Sequence, residues 1–421
     1  YSELFSIVAD AADWEHRYDE EVTLAERALA LDPDDARAHA TRGTNLLRLG
    51  EEEDGLAALE RAFRFDRFDV RVFNTLNFYE DVIAPHYEWV TSRDLHLRVH
   101  EDERALLEEL AMPLLREAYR AMRRSYRFTP RRPVRVEMYA SSAHFSVRTS
   151  GLPNVGVQGV CFGRVVTALS PRGGPFDWAQ IVWHELAHVF HLQLSHNRVP
   201  RWLTEGLAEH ETTIARPEWA REEDHRLWLA LESGRLPPLR DLNQAFTHAR
   251  SAQGVLDAYY AATRAAGFIV DTYGMRAVTR LLREYGRGRT TEDAFTRALH
   301  ATADEVDAAW RAAEHTRLAA RAGDFAVDLL VYADLPTWAG RAAAAPSDAA
   351  ARAEHAAALL VTGDGAAALT EAREAVRLDA HQPIARFVLL QLAVERHDGP
   401  DAERHAADLV ASGHDGYAVR L

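Results

Sequence analysis

The segment "LDPDD" begins at residue 31 and "FDRFD" at residue 65, and the run between them, "ARAHATRGTNLLRLGEEEDGLAALERAFRFDR" at 36–67, fills a register of 34 residues. A period of that length is one helix–turn–helix unit, which cannot bury its apolar face alone and must stack on a neighbour. Gly43, Gly50 and Gly55 fall where two antiparallel helices approach or turn, and Leu59 and Ala62 fall where the second helix packs on the first. A partial unit, "AERALALDP", precedes it at 25–33. The far end carries the same 34-residue offset between Ala344 and Leu378, in "AAPSDAAARAEHAAALLVTGDGAAALTEAREAVRLDAHQPIARFVLLQL". There Gly363 and Ala375 take the turn and packing positions of Gly50 and Ala62.

The pattern resembles tetratricopeptide repeats. That resemblance implies either a concave surface for a protein partner or a helical spacer capping the next domain. So few repeats favour the spacer, because a stacked array needs several units to stand alone.

The segment between the two ends lacks this period and mixes strand and helix signals. "RDLHLRVH" alternates Leu95, Leu97 and Val99, and a helix is predicted over about 101–126. "RPVRVEMYA" places Val134, Val136 and Met138 on one face, and "GVQGVCFGRVVTAL" reads as a third strand over 156–169. From about residue 177 the pattern is helical nearly throughout. The expected architecture is mostly α, with helical repeats at 1–84 and 316–421 flanking an α+β domain with a small sheet at 85–315.

Composition removes several classes of function. The 421 residues suffice for two or three domains, each with its own core. The net charge of −15 disfavours nucleic acid or an anionic membrane as the main partner. No lysine occurs, which excludes a P-loop lysine, a Schiff-base lysine and a serine–lysine dyad; a high-GC genome accounts for its absence. Cys161 is the sole cysteine, so there is neither an intrachain disulfide nor a cysteine-based zinc cluster. No apolar run approaches the roughly 18 residues a membrane span requires. The chain opens at Tyr1 without a signal-peptide pattern, and cytoplasmic and exported locations both stay open.

The chemistry concentrates in "WHELAHVFHLQLSHNRVPRWLTEGLAEH", residues 183–210. A helix is expected to start near Asp177, whose carboxylate suits an N-terminal cap. His184 and His188, four apart, then share one face and can share one ion. Glu185 points around the helix toward a water beside that ion. With 20 histidines and 34 glutamates in the chain, a HExxH string arises by chance about 0.08 times, so the surroundings must carry the reading. A polar break at Ser195–Asn197 and Pro200 precedes a second helix bearing Glu205. An antiparallel return would bring Glu205 to the open side of the two histidines, giving one divalent zinc two imidazoles, a carboxylate and a fourth open position.

"HELAH" followed by "WLTEGLAEH" resembles the gluzincin metallopeptidases, and most of all the peptidase MA-like group often joined to tetratricopeptide repeats. The resemblance implies that His184, His188 and Glu205 bind zinc, one ion per chain, and that Glu185 is the general base. Sixteen residues separate His188 from Glu205, a couple fewer than in the aminopeptidases of that group, which shortens the turn. The metzincin pattern is excluded, because it needs glycine at 191 and histidine at 194 where this chain has His191 and Leu194. Glu209, four after Glu205, matches a carboxylate that orients a ligand histidine through its second ring nitrogen in thermolysin-like enzymes. His191 and His210 read as structural.

"LDAYYAATRAAGFIVDTYG", residues 256–274, resembles the segment where related peptidases place an oxyanion-stabilising tyrosine; Tyr260 fits that register slightly better than Tyr259. By the same resemblance, the strand at 156–169 offers its edge to an extended peptide. Arg148 and Arg164 either hold a substrate carboxylate or solvate the rim. The expected function is a zinc peptidase acting on a peptide or protein substrate. The lack of the aminopeptidase motif G-x-M-E-N tilts it toward an endopeptidase. The alternative is an interaction scaffold with a structural or vestigial zinc site.

Overall fold

Small residues decide how the first helices pack. In the computed structural model, which describes residues 5, 8, 17–154, 156–232, 234–247, 252–319 and 329–414, the N-terminal helices are α1 (Tyr18–Leu31), α2 (Ala36–Arg48), α3 (Glu52–Phe65) and α4 (Val70–Asn77). A Cβ on Gly43 would lie 2.7 Å from the Leu59 side chain and 2.8 Å from the Gly55 carbonyl oxygen, so α2 and α3 touch backbone to backbone. Gly50 turns the chain between them at φ +82, a conformation that costs glycine little. Asp35 and Asp69 cap α2 and α4 by accepting hydrogen bonds from free backbone N–H groups. These are the helical hairpins that the 34-residue register predicts.

The chain continues through β1 (Tyr87–Thr91), β2 (Leu95–His100), α5 (Arg104–Tyr126), β3 (Val134–Tyr139), α6 (Ser142–Ser150), β4 (Gly159–Cys161) and β5 (Val165–Leu169). It then becomes helical: α7 (Trp178–Ser195), α8 (Arg201–Ala215), α9 (Asp224–Glu232), α10 (Ala252–Tyr273), α11 (Met275–Gly286), α12 (Thr291–Leu299) and α13 (Ala303–Ala319). The remainder is α14 (Leu335–Ala344), α15 (Ala349–Val361), α16 (Gly365–Leu378), α17 (Pro383–Glu395) and α18 (Gly399–Ala411). Two compact units emerge, Tyr1–Glu222 with Pro237–Trp310, and Glu223–Leu236 with Arg311–Leu421. No helix among the described residues is long and apolar enough to cross a membrane.

In the first unit the sheet has the order β1-β2-β3-β5-β4, parallel across β2-β3-β5 and antiparallel at both edges. All five residues of β5 are buried, which suits a central parallel strand covered on both faces. Two expectations need correction. The single strand over 156–169 is a hairpin, turned at Gly163 with φ +87 and closed by Phe162 N–H donating to Val165 O at 2.8 Å. The edge strand β1 was not foreseen, because its residues "YEWVT" follow a helical run and lack clean alternation.

A buried charge network ties the hairpins to this sheet. Arg98 on β2 reaches Glu52 on α3 at 2.6 Å, and Glu137 on β3 lies 3.5 Å from Arg98 and 2.8 Å from Arg148 on α6. Arg148 also donates to the Leu47 carbonyl at 3.0 Å, and Tyr139 donates to Glu137 at 2.7 Å. Burial opposes ionisation of Glu137, but the two guanidiniums hold its carboxyl below the ordinary value. Arg148 is therefore neither at the rim nor available to a substrate. Arg164 lies 3.4 Å from Asp19 and 3.7 Å from Glu51.

The second unit has its own core of alanines, with Ala353, Ala356, Ala357, Ala368, Ala372 and Ala375 completely buried between α15, α16 and α17. Asp348, Asp364 and Gln382 cap these helices, and Gly363 turns between α15 and α16 at φ +90, as Gly50 does upstream. In the same unit Arg317 clasps Asp224 of α9 with two hydrogen bonds of 2.6 Å.

Gly206 sets the closest helix approach in the first unit, since a Cβ there would lie 2.2 Å from the Ala262 carbonyl oxygen of α10. Backbone cannot yield as a side chain can. Gly206→Ala should destabilise the fold by about 1–3 kcal/mol through overpacking. Urea unfolding checks this, and an unchanged midpoint would contradict it.

Candidate metal centre

Helix α7 is buried almost all round because β4, β5, α5, α8 and α11 pack against it. Asp177 caps its start by accepting from Gln180 N–H at 3.0 Å. At its other end His196 (φ 50) and Asn197 (φ 59) both adopt the left-handed conformation, which reverses the chain before Pro200 opens α8. This tight reversal lays α8 antiparallel along α7.

The return brings Glu205 onto the face shared by His184 and His188. The Nε2 atoms of the two histidines are 3.1 Å apart, and Glu205 Oε2 lies 3.3 Å from His184 Nε2 and 3.6 Å from His188 Nε2. Ligand atoms of these three residues all fall within 4.8 Å of one another, and the cluster can hold a metal ion. The spacing suits zinc. Bonds of about 2.0–2.1 Å in tetrahedral geometry put neighbouring ligand atoms about 3.4 Å apart. The donor set also matches in kind, with two imidazoles and a carboxylate that converge on one point.

The remaining atoms of the cluster are tied down. Glu209 Oε1 is 3.4 Å from His184 Nδ1, close enough to take a proton from that nitrogen, which would free Nε2 to face an ion. Burial disfavours a charge on His184, yet hydrogen bonds to Glu205 and Glu209 push its pKa up to about 10. Burial likewise opposes ionisation of Glu205, but its contacts with the two histidines hold its carboxyl well below the usual range. Arg201, one turn before Glu205, sits 3.3 Å from its other oxygen, Oε1.

Glu185 is buried beside the cluster and directed at β4. A Cβ on Gly159 would lie 2.6 Å from Glu185 Cγ and 2.7 Å from Oε1, so the carboxylate fits only because that strand position has no side chain. Burial raises the Glu185 carboxyl pKa, with His188 and His184 opposing. A carboxylate raised in this way is a better proton acceptor near neutrality.

Tyr259 reaches the site. Its hydroxyl is 3.5 Å from Arg201 Nη2, and its pKa is pushed up to about 12 by burial and then by the charge of Glu205. Tyr260 is half-buried one position on. His210 lies toward α10, near Gly267, away from the cluster. His191 is completely buried, with Nδ1 3.1 Å from the Thr204 hydroxyl and Nε2 2.7 Å from the Tyr126 hydroxyl. Thr204 and Arg201 were missed from sequence, although Arg201 stands at the i, i+4 spacing from Glu205 that marks a helical ion pair. Tyr126 had no such signal, since it meets His191 across 65 residues of sequence.

Residues 123–315 match the family model of the Peptidase MA superfamily. That segment is similar to the peptidase MA-like domains. The match begins at the end of α5 and takes in β3, the β4–β5 hairpin, α7, α8 and the helices through most of α13. No curated protein matches the chain. Among solved structures it is similar to yeast Tom70, at 12% identity over 100% of this chain and 94% of that one, with a TM-score of 0.20.

Behind His191, Tyr126 hydrogen-bonds to Glu211, whose carboxyl burial raises to about 7. An unfolded glutamate titrates near 4.3, so the folded state keeps this proton longer, and stability falls as pH rises from about 4.3 through 7. Glu211→Gln should therefore gain on the wild type by on the order of 2 kcal/mol between pH 5 and pH 8. Urea unfolding at both pH values measures this; a difference that stays constant would refute it.

Proposed function

We propose that the chain is a zinc-dependent peptidase, with His184, His188 and Glu205 as ligands of one zinc ion. The observation that carries this reading is the convergence of those three residues beside a buried Glu185 that faces an edge strand. The match of residues 123–315 to the Peptidase MA superfamily supports the same class of chemistry. When bound, zinc supplies Lewis acidity that polarises a carbonyl and lowers the pKa of a water to about 7.

The chain's own residues do the rest. Glu185 accepts a proton from the attacking water and delivers it to the leaving amine nitrogen. Glu209, 3.4 Å from His184 Nδ1, would keep His184 turned so that Nε2 could ligate, and Arg201, 3.3 Å from Glu205 Oε1, would leave Oε2 free to do so. Tyr259, one position before the expected Tyr260, donates to the oxyanion that forms on the scissile carbonyl. Edge strand β4 aligns an extended peptide over Glu185, which favours cleavage within a chain. The helical hairpins at 1–84 and 316–421, which precede and follow the proposed catalytic domain at 85–315 in sequence, offer surfaces for a protein substrate or partner.

Glu185→Gln should retain one zinc per chain while peptide hydrolysis falls by about 10²–10⁴-fold. Metal analysis with turnover of a mixed peptide library tests both halves. Bound zinc in the wild type without cleavage of any peptide or protein would favour an interaction scaffold. Tyr259→Phe should lower kcat by about 10²–10³-fold and leave zinc in place, with Tyr260→Phe far milder. The reverse ranking would return the oxyanion role to Tyr260.

A further inference from the structure

His188 is held from behind by a file of polar groups that the proposed chemistry does not use. Its Nδ1 is 2.7 Å from Thr204 Oγ1, and the same hydroxyl is 3.1 Å from His191 Nδ1. His191 Nε2 is 2.7 Å from the Tyr126 hydroxyl, which in turn hydrogen-bonds to Glu211. All are shielded from water, at 7% exposure for Thr204, 0% for His191 and Tyr126, and 2% for Glu211. Glu211 Oε1 has no hydrogen-bond partner among the described residues.

Each link has one proton to give, so the file has a sense. If Glu211 is ionised it only accepts, and Tyr126 must donate to it. Tyr126 then accepts from His191 Nε2–H, which leaves His191 Nδ1 as an acceptor for Thr204. Thr204 in turn accepts from His188 Nδ1–H, and His188 presents a bare Nε2 lone pair to the cluster. In the opposite sense every donor turns round, and His188 Nε2 carries a proton that blocks a metal. One carboxylate at the far end therefore distinguishes a competent ligand from an incompetent one.

We propose that Thr204, His191, Tyr126 and Glu211 form a buried relay that fixes the tautomer of His188 and so sets the metal affinity of the site. The relay rests on the zinc reading given above, but assigns positioning roles to residues that never touch the ion. Its reach is the unusual part. Tyr126, beyond His191 on a different helix, should govern metal binding although only its hydroxyl takes part.

The test is Zn2+ affinity of the full chain at pH 8, where Glu211 is ionised, by competition with a chromogenic chelator. Tyr126→Phe and Thr204→Val should each weaken binding by about 10- to 100-fold. Thr204→Ser, which keeps the hydroxyl, should restore it. Nitrogen-15 spectra of labelled histidines should show His191 protonated at Nε2 in the wild type and at Nδ1 in Tyr126→Phe, a change that packing alone would not cause. Wild-type affinity in both Tyr126→Phe and Thr204→Val would overturn the relay, as would failure of Thr204→Ser to rescue. His184→Ala separates the two readings. Loss of zinc there with no effect in the relay variants leaves the zinc site standing and removes the relay, whereas wild-type affinity in His184→Ala removes both. Thermal melting of each variant shows that it is folded, and the Thr204 pair decides the matter if Tyr126→Phe does not fold.

Discussion

How far α8 advances along α7 controls every contact at the cluster, and two backbone features set that advance. The left-handed pair His196 and Asn197 starts the reversal, and the contact of Gly206 with the α10 backbone fixes where α8 stops. A displacement by one residue would turn Glu205 by about 100° around its helix and away from both histidines. The shorter span between His188 and Glu205 therefore does not prevent the approach, because successive left-handed residues reverse the chain within a few positions.

The sheet performs a comparable service from the other side. Its parallel centre is anchored by Arg98, Glu137 and Arg148, three charges that would be expensive to bury singly but that satisfy one another. Arginine suits this position because it stays charged when buried and its fork reaches several acceptors at once. The hairpin of β4 and β5 then lies against α7, with β4 outermost in the sheet, so that Glu185 packs against Gly159 of the edge strand.

Much of this was legible in the sequence where the signal is local. The 34-residue register gave the hairpins and their glycine contacts, and the i, i+4 histidines gave the shared face. Glu205 required only the assumption of an antiparallel return. What was not legible depended on contacts between distant residues. Arg148 looked like a rim residue because nothing local shows that Glu137 waits behind it. The strand at 156–169 concealed a turn, because Gly163 sits in a run whose neighbours all favour strand. Tyr259 and Tyr260 differ by one step of a helix, a distinction that lies below what a local pattern carries. His191 was set aside as a ligand, and its two ring nitrogens lie in the file that leads to His188.

The absence of a side chain at Gly159 bears on how such a site can change over time. Strand β4 is only three residues long and its edge is the natural place to alter what the cleft accepts. One of those three positions is closed to variation, because the smallest added group would strike Glu185. Val160 and Cys161 can vary, while the first position of the strand has to stay without a side chain for as long as Glu185 keeps its place.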